Sequence, residues 1–437
     1  MTKVLIVQAA RGGGDGHSGK LHRLWYHGLT LPYLAALFGR RCDVQVVDEL
    51  LDAPPLDTDA DLVAITTMGA GLPRALELAD QYRQRGKRVV LGGPTASAYP
   101  QTVAPHVDSL VMGDGEQLVE RLLDDLAVDR LQPVYRHETP PPLDGTPVPR
   151  YDLIPRRRVG LFYPVEATRG CSIGCRFCLT TQLSQRRQRQ KPVEDVVRDI
   201  AAIQAMGVRR VIFMDDNPTV DRGYFRKLVG AIAPLGVEWM ANATAGIAED
   251  EAMVDRLAAS GCTMLAIGFE TVTQANLDSS GKGCFRVDRY RQIIRRLHDS
   301  GIQVTAMMVL GFDHDSPAVF DEVLAFLNEN RVEMAIFHVL TPILGTPMHA
   351  ELAEQGRISE LDLAHYNAEE AVFRPAQMTQ RELEEGFWRL YGNVYSLGSI
   401  FRRLVARAPD RFLLRRAGSL AANLYMRHMV RQRRTIV

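Results

Sequence analysis

The chain has 437 residues, and its 52 lysines and arginines balance 52 aspartates and glutamates. Hydrophobic residues make up 46% of it, which indicates a globular protein of two or three domains and excludes a disordered chain. A net charge of zero gives no reason to expect a nucleic-acid-binding protein, because phosphate contacts require a basic surface. The sequence contains no uninterrupted run of the roughly 18 apolar residues that a membrane span needs, and its first apolar run is too short for a signal peptide. We therefore expect a cytoplasmic protein without a membrane span.

Short β-branched runs alternate with helical patterns over residues 1–130. The clearest helix is predicted over 74–86, where Gly86 closes it. Single helices between strands imply parallel crossovers, and hence a doubly wound α/β sheet. The predicted strands are 4–7, 43–47, 61–67, 88–92 and 108–112.

Seven prolines follow within residues 131–158, so we expect a linker without regular structure there. Over 159–356 the alternation resumes with six βα units, which predicts a parallel partial or closed barrel. The predicted strands are 162–168, 208–215, 237–243, 263–269, 302–310 and 333–341, and the helices include 193–206, 248–260, 286–300 and 317–330.

The last region, 357–437, has helical spacing and no predicted strand. Its final 37 residues hold ten arginines and one acid, Asp410, with apolar residues among them. These arginines are typical either of a helical cap whose charges are solvated or paired with acids elsewhere, or of a tail that binds a partner or a membrane surface.

Three of the six cysteines lie within eight residues, in the run Cys171-Ser-Ile-Gly-Cys175-Arg-Phe-Cys178. In a reducing compartment such a cluster indicates metal binding or catalysis. Soft thiolates select zinc or an iron–sulfur cluster. Structural zinc usually needs four protein ligands, and the sequence has no second CxxC. Three ligands therefore leave one metal position open. Cys262 and Cys284 have no partner spacing and are expected to be inert.

This CxxxCxxC pattern, with an aromatic residue before its last cysteine and a strand before its first, resembles the signature of the radical S-adenosylmethionine (SAM) enzymes. The resemblance implies that Cys171, Cys175 and Cys178 hold three irons of a [4Fe–4S] cluster and that the fourth iron chelates SAM. One electron then cleaves SAM to methionine and a 5′-deoxyadenosyl radical. An electron donor such as flavodoxin or ferredoxin is implied as a partner.

The same resemblance suggests where SAM binds. The backbone near Phe177 would contact the adenine, and Glu270 the ribose. Asp215 and Asp216 take the place of a motif that binds the SAM amino group, although the usual glycines of that motif are missing. From the residues alone, Asp215 or Glu270 could equally be a helix cap.

Residues 14–20 (GDGHSGK) match the first part of a P-loop. Leu21 stands where a P-loop has the Ser or Thr that holds magnesium, so a nucleotide site is not favoured.

A different resemblance covers more of the first domain, to the cobalamin-binding Rossmann-like domain. It implies that His17 binds cobalt from below, that Thr66 and Met68 line the nucleotide tail, and that Gly92 and Gly93 let the tail pass close to the backbone. The histidine motif is one residue short here, and Thr and Met replace Ser and Leu in the second motif. His17 could therefore also be a polar loop histidine.

A cobalamin-type domain, a linker, a radical SAM domain and a helical tail form the layout of the B12-binding radical SAM enzymes. The resemblance implies C-methylation of an unactivated carbon in a small-molecule substrate, in natural-product or antibiotic biosynthesis. The alternative is radical dehydration of the diol-dehydratase type, as in aminoglycoside deoxygenation, or cyclisation or rearrangement, without methyl transfer and with no need for bound cobalamin. A non-enzymatic iron–sulfur or zinc module is a third class. The substrate cannot be read from the sequence, and Tyr391 and Tyr395 could either line its pocket or be packed.

Overall fold

A computed structural model describes residues 1–11, 24–404 and 413–435 of the chain. The chain forms two compact units. The first comprises Met1–Gly170, Gln182–Met214 and Asp362–Asn367, and the second comprises Cys171–Thr181, Asp215–Leu361 and Ala368–Val437. Among the described residues, no helix is both long and apolar enough to cross a membrane.

The strands and α-helices follow in chain order. The strands are β1 (Lys3–Gln8), β2 (Leu24–Tyr26), β3 (Asp43–Asp48), β4 (Leu62–Thr66), β5 (Arg88–Gly92), β6 (Ser109–Met112), β7 (Val134–Arg136), β8 (Val159–Val165), β9 (Thr168–Arg169), β10 (Arg189–Gln190), β11 (Arg210–Phe213), β12 (Glu238–Ala243), β13 (Cys262–Glu270), β14 (Gln303–Leu310) and β15 (Met334–Val339). The helices are α1 (Thr30–Phe38), α2 (Leu72–Gln84), α3 (Pro94–Ala98), α4 (Pro100–Val103), α5 (Leu118–Ala127), α6 (Leu179–Leu183), α7 (Val193–Ala205), α8 (Arg222–Ile232), α9 (Glu251–Ala259), α10 (Gln274–Ser279), α11 (Tyr290–Asp299), α12 (Val319–Glu329), α13 (Pro347–Glu354), α14 (Gln380–Val394), α15 (Leu397–Leu404) and α16 (Leu413–Arg431).

The first unit contains a six-stranded parallel sheet in the order β3-β1-β4-β5-β6-β7. Its central strands β1, β4 and β5 are apolar on both faces because each face is covered by helices. On β1, Leu5 and Val7 pack into the core formed with α2, whereas Val4 and Ile6 pack into the core formed with α1 and α5. The predicted doubly wound α/β sheet is therefore confirmed.

The proline-rich segment differs from its prediction at β7 and at Tyr151–Leu153, which form one turn of 3-10 helix. β7 lies within this segment and pairs in parallel with β6 at the edge of this sheet. Pro133 and Pro140 flank β7, and no proline falls inside it, so its backbone N–H groups remain available for pairing. The expectation that 131–158 lacks regular structure is wrong at this strand.

All six strands predicted for the barrel are present, as β8 and β11 to β15. In the first unit, β8 pairs in parallel with β11 on one side and β2 on the other. In the second unit, β12 to β15 pair in parallel in chain order. Residues on one face of these four strands, such as Trp239, Phe269 and Phe337, are completely buried. On the other face Met240, Met264 and Met307 are only half-buried, whereas Thr305 and Met334 are buried.

The helices of the C-terminal region satisfy the edge of β15. Tyr391 and Tyr395 project from the end of α14 or just beyond it, and both are buried. The Phe337 N–H donates to the Tyr391 hydroxyl at 2.9 Å, and the Tyr395 hydroxyl donates to the Ala335 carbonyl at 2.7 Å. An unpaired strand edge would leave such groups unsatisfied. The two tyrosines are therefore packed residues.

Arg403 connects α15 to the rest of the second unit. Its side chain is 1% exposed, and burial lowers its pKa, although nearby Tyr395 and Glu333 act in the other direction. The guanidinium donates to the carbonyls of Val332, Glu333 and Val394 and to Asn423 Oδ1, all within 2.9 Å. Since these acceptors are buried, the arginine replaces the water that they would otherwise need.

We expect Arg403→Met to lower the free energy of unfolding by about 3–5 kcal/mol, because the apolar chain removes a donor from each of these buried acceptors. Urea denaturation followed by circular dichroism measures this. Arg402→Met is the matched control, since Arg402 is the exposed neighbour, and it should change stability by less than about 0.5 kcal/mol. Equal effects of the two substitutions would contradict a structural role for Arg403.

Candidate functional site

The three clustered cysteines lie in one loop of the second unit, directly before α6. Cys171 and Cys175 are buried and Cys178 is partly exposed. Gly174 has a φ of +88°, a left-handed conformation that glycine adopts without strain, and it turns the chain between the first two cysteines. Among the described residues, no three His, Cys, Asp or Glu side chains converge on a single metal ion. Thiols that each bind a different iron of a cluster do not need to converge in this way.

Arg176 anchors the middle of this loop. Its N–H donates to the Ser280 carbonyl at 2.9 Å, and its own carbonyl accepts from the Met348 N–H at 3.1 Å. The guanidinium forms an ion pair with Glu351 at 2.6 Å and donates to the Ser279 carbonyl at 3.3 Å. The turn after α10 and the first residues of α13 therefore fix the position of the cysteine loop.

Polar groups surround the buried thiols. The Asn217 side-chain amide lies 3.8 Å from Cys171 Sγ and can donate to it. Burial raises the pKa of Cys175 to about 12, and the nearby positive charge of Lys282 opposes this increase. Burial disfavours the charge of Lys282 itself, but Glu270 and Cys175 hold the pKa of Lys282 above its ordinary value. A cation and an amide donor are the groups that stabilise anionic sulfur.

Glu270, at the end of β13, has an unusual backbone conformation. Its φ is +63°, and the pairing of β13 with β14 shifts register between Gly268 and Glu270. Its carboxylate forms an ion pair with Lys282. A Cβ on Gly268 would lie only 2.6 Å from Glu270 Oε1, so the glycine provides the space for this carboxylate. Strained, tightly packed residues of this kind are concentrated at functional sites.

The other predicted SAM residues differ in exposure. The ring of Phe177 packs edge-on against Phe312, with centroids 5.8 Å apart. Asp215 is 1% exposed, and its carbonyl accepts from the Asn242 amide at 3.0 Å. Asp216 is exposed and accepts from the Thr180 hydroxyl at 3.0 Å. Phe177 thus lies in the cysteine loop, and Asp216 is hydrogen-bonded to α6, the helix that follows this loop.

The half-buried face of β12 to β15 is largely apolar. Methionines from three strands lie on it, and methionine side chains adapt to irregular ligands. His338 lies on the same face, and burial lowers its pKa although Glu270 and Glu369 oppose this. The half-buried residues include Met240, Asn242, Met264, Glu270, Met307 and His338.

The predicted cobalamin residues of the described chain lie in the first unit, where strands end. Thr66 ends β4 and Gly92 ends β5. Gly93 has a φ of +114°, and a Cβ there would lie 2.6 Å from the Thr67 carbonyl. Gly93 therefore has to be glycine because the backbone of the neighbouring loop packs against it. The sequence suggested a different reason, the close approach of a ligand. Met68 is 77% exposed, and His17 lies outside the described residues.

A cavity of about 280 Å³ opens beside Thr66, Gly92 and Gly93. Its walls are mostly apolar, and its size is close to the lower end for ligand pockets. Side chains from the strands and from α1 and α5 form the walls, among them Leu34, Phe38, Ala64, Val90, Val111 and Leu122.

One end of this cavity is polar. Arg169 forms ion pairs with Asp114 at 2.9 Å, with Glu116 at 2.9 Å and with Glu166 at 2.7 Å. The Tyr33 hydroxyl also donates to Glu116. Burial disfavours the charge of Arg169, but the three carboxylates keep its pKa above the ordinary value. An apolar cavity with a polar end suits an amphipathic ligand.

Two family descriptions match the chain. The B12 binding domain matches residues 26–123, and the Radical SAM superfamily matches residues 165–327. The two matches together cover more than half of the chain. The protein is thus a radical SAM enzyme, and it belongs to the radical SAM enzymes that carry a B12-binding domain. This confirms the resemblance seen in the sequence, and the cofactors of this family are a [4Fe–4S] cluster, SAM and cobalamin.

Relatives match more than three quarters of the chain, and one solved structure matches nearly all of it. Bacteriochlorophyllide d C-12(1)-methyltransferase of Chlorobaculum tepidum is 29% identical over 86% of this chain and 84% of its own length. Hopanoid C-2 methylase of Rhodopseudomonas palustris is 24% identical over 77% of this chain and 66% of its own. The methyltransferase TsrM of Kitasatospora setae, solved with cobalamin and a [4Fe–4S] cluster, superposes with a TM-score of 0.72 at 15% identity over 99% of each chain, which shows a shared fold.

Sequence reasoning missed several residues of the site. Asn217 and Lys282 were not identified, because a single Asn or Lys in a loop has no spacing that indicates a neighbour distant in sequence. Asn276 and Asp315 were missed for the same reason, although they join α10 to the loop after β14. Asn276 Nδ2 donates to Asp315 Oδ1 at 2.7 Å, and the N–H groups of Gly311 and Phe312 donate to Asp315 Oδ2.

Burial raises the pKa of Asp315 to about 6, although the backbone N–H groups of Gly311 and Phe312 oppose this. Because the folded pKa lies above the unfolded value, stability from this group is complete below the unfolded pKa and is lost as pH rises through about 6. Relative to Asp315→Asn, the wild-type chain should lose about 1 kcal/mol of unfolding free energy between about pH 5 and about pH 7.5. Urea titrations at both pH values test this, and a constant difference would contradict it.

Proposed function

We propose that this enzyme methylates an unactivated carbon of a small-molecule substrate in a cobalamin-dependent reaction. The observation that carries the proposal is the match over 86% of the chain to a relative named as a methyltransferase of a carbon position. The match covers both domains, so it reflects more than a shared radical SAM core. When bound, the cluster supplies the electron that cleaves SAM to the 5′-deoxyadenosyl radical, and cobalamin supplies the methyl group. An electron donor such as flavodoxin or ferredoxin would be the partner.

In this proposal Cys171, Cys175 and Cys178 hold the cluster. The loop that carries the three thiols is held through both the backbone N–H and the carbonyl of Arg176. This supports the role, because the geometry of the loop does not depend on the metal alone. Asn217 would donate to the sulfur of Cys171. Lys282 would offset the negative charge near Cys175.

SAM would lie against the carboxyl ends of the strands in the second unit. Phe177 would contact the adenine, Glu270 the ribose, and Asp215 or Asp216 the amino group. The ion pair with Lys282 keeps the Glu270 carboxylate in one orientation, ready to accept a hydroxyl hydrogen bond. The half-buried face with its three methionines would exclude water from the substrate carbon.

Cobalamin would be held in the first unit by Thr66, Met68, Gly92 and Gly93, with its nucleotide tail in the 280 Å³ cavity. The apolar walls and the polar end of this cavity support this, because they suit an amphipathic ligand. His17 remains a proposed cobalt ligand.

We expect Cys175→Ser to abolish both iron binding and SAM cleavage, because a cluster ligand is lost. Iron and sulfide analysis after anaerobic reconstitution, with detection of 5′-deoxyadenosine, measures this. Cys284→Ser is the matched control, since Cys284 is exposed and lies outside the loop. Normal iron content in Cys175→Ser would contradict the ligand assignment.

The products of SAM test the reaction itself. Methyl transfer leaves S-adenosylhomocysteine, whereas radical formation leaves 5′-deoxyadenosine and methionine. Methylation therefore requires that the reconstituted enzyme, given reductant and substrate, form S-adenosylhomocysteine as well as 5′-deoxyadenosine. Dehydration or cyclisation would yield 5′-deoxyadenosine and methionine without S-adenosylhomocysteine.

We expect Val111→Phe to weaken cobalamin binding by about tenfold or more, because the added ring fills the cavity. Formation of S-adenosylhomocysteine should fall with it, while iron content stays unchanged. Met112→Phe is the control, since Met112 is the next residue on β6 and packs against the core on the opposite face of the sheet. Unchanged cobalamin binding in Val111→Phe would place the tail elsewhere.

A further inference from the structure

Exposed apolar side chains are concentrated on the last two helices of the chain. On α15, Leu397 and Phe401 are each 59% exposed, and on α16 Leu420 and Leu424 are 39% and 44% exposed. In both pairs the residues are four positions apart, so each pair forms one stripe on its helix. None of these residues is used by the proposed reaction.

The opposite face of each helix is buried. Ile400 and Leu404 of α15, and Ala422 and Met426 of α16, pack into the second unit. Arg403 joins the two helices by donating to Asn423. The exposed stripes therefore lie on well-packed helices, because the opposite face of each helix is buried.

The charge around these stripes has one sign. The described segments 397–404 and 413–435 contain eight arginines and no acidic residue. Arg402 follows Phe401 directly and is exposed, as are Arg431, Arg433 and Arg434 at the end of α16. Within the described part of the chain, these four exposed arginines form no ion pairs. Among the described residues, acidic side chains thus leave the charge of these four arginines unpaired.

We infer that α15 and α16 form a surface that docks onto an anionic lipid membrane. Large apolar side chains flanked by arginines are typical of helices that lie in the headgroup region. A symmetric interface between two copies is disfavoured, because it would bring arginines against arginines. Nucleic acid would use the arginines but would leave the leucines and the phenylalanine exposed. The inference does not depend on the proposed reaction.

The experiment uses the full chain with its cluster reconstituted. We expect it to sediment with vesicles of phosphatidylcholine containing about one quarter phosphatidylglycerol, and to be released by high salt. Binding to pure phosphatidylcholine should be much weaker. Replacing Arg431, Arg433 and Arg434 with Gln should weaken partitioning about fivefold per charge. Phe401→Ser with Leu424→Ser should also weaken it, because both side chains would enter the headgroup layer.

Matched variants control for charge and apolarity. Arg40, Arg88 and Arg295, which are exposed elsewhere, are replaced with Gln, and the exposed Leu361 with Ser. These variants should bind vesicles like the parent chain. Failure of the parent to bind anionic vesicles would overturn the inference, as would equal binding by the helix variants. A dimer in solution that Phe401→Ser converts to a monomer would also overturn it, since the stripe would then be covered by a second copy.

Discussion

Parallel strand pairing is the constraint on which both candidate sites depend. Parallel neighbours all end at the same edge of a sheet, so the loops that follow them are brought together however distant they are in sequence. In the first unit this places Thr66 beside Gly92. In the second unit Glu270 ends β13 in the same way. The chemistry is thus positioned by backbone hydrogen bonds, and the side chains at these ends remain available for ligands.

Loops at the end of a sheet have no apolar core of their own, and polar contacts fix them instead. Arg176 holds the cysteine loop, the Asn276 and Asp315 pair joins α10 to the loop after β14, and Lys282 orients Glu270. Each contact has a cost in desolvation or backbone strain, which the surrounding core has to offset. Such contacts are therefore expected where a fixed geometry matters more than stability.

The sequence predicted the fold well because period and spacing are local properties. The βα alternation and the cysteine spacing identified both domains and the cofactors of the family. Contacts between distant residues were not predictable, since no pattern in one sequence indicates that Asn217 lies near Cys171 or that Gly268 leaves space for Glu270. β7 was missed because the prolines around it dominate the composition of its segment. The proline content describes the whole segment, whereas β7 requires only that its own three residues keep their backbone N–H groups.

The arginine-rich C-terminal region shows the same limit in another form. From composition alone, the arginines indicate either a structural cap or an interaction surface. A helix can be both, because one of its faces packs against the protein while the other faces solvent. Arg403 is buried and satisfies carbonyl groups, while Arg402, its neighbour in sequence, faces solvent. A rotation of about 100° around the helix, the step from one residue to the next, therefore separates a residue that stabilises the fold from one that faces solvent. The net charge of zero hid this arrangement, since a sum over 437 residues carries no information about position.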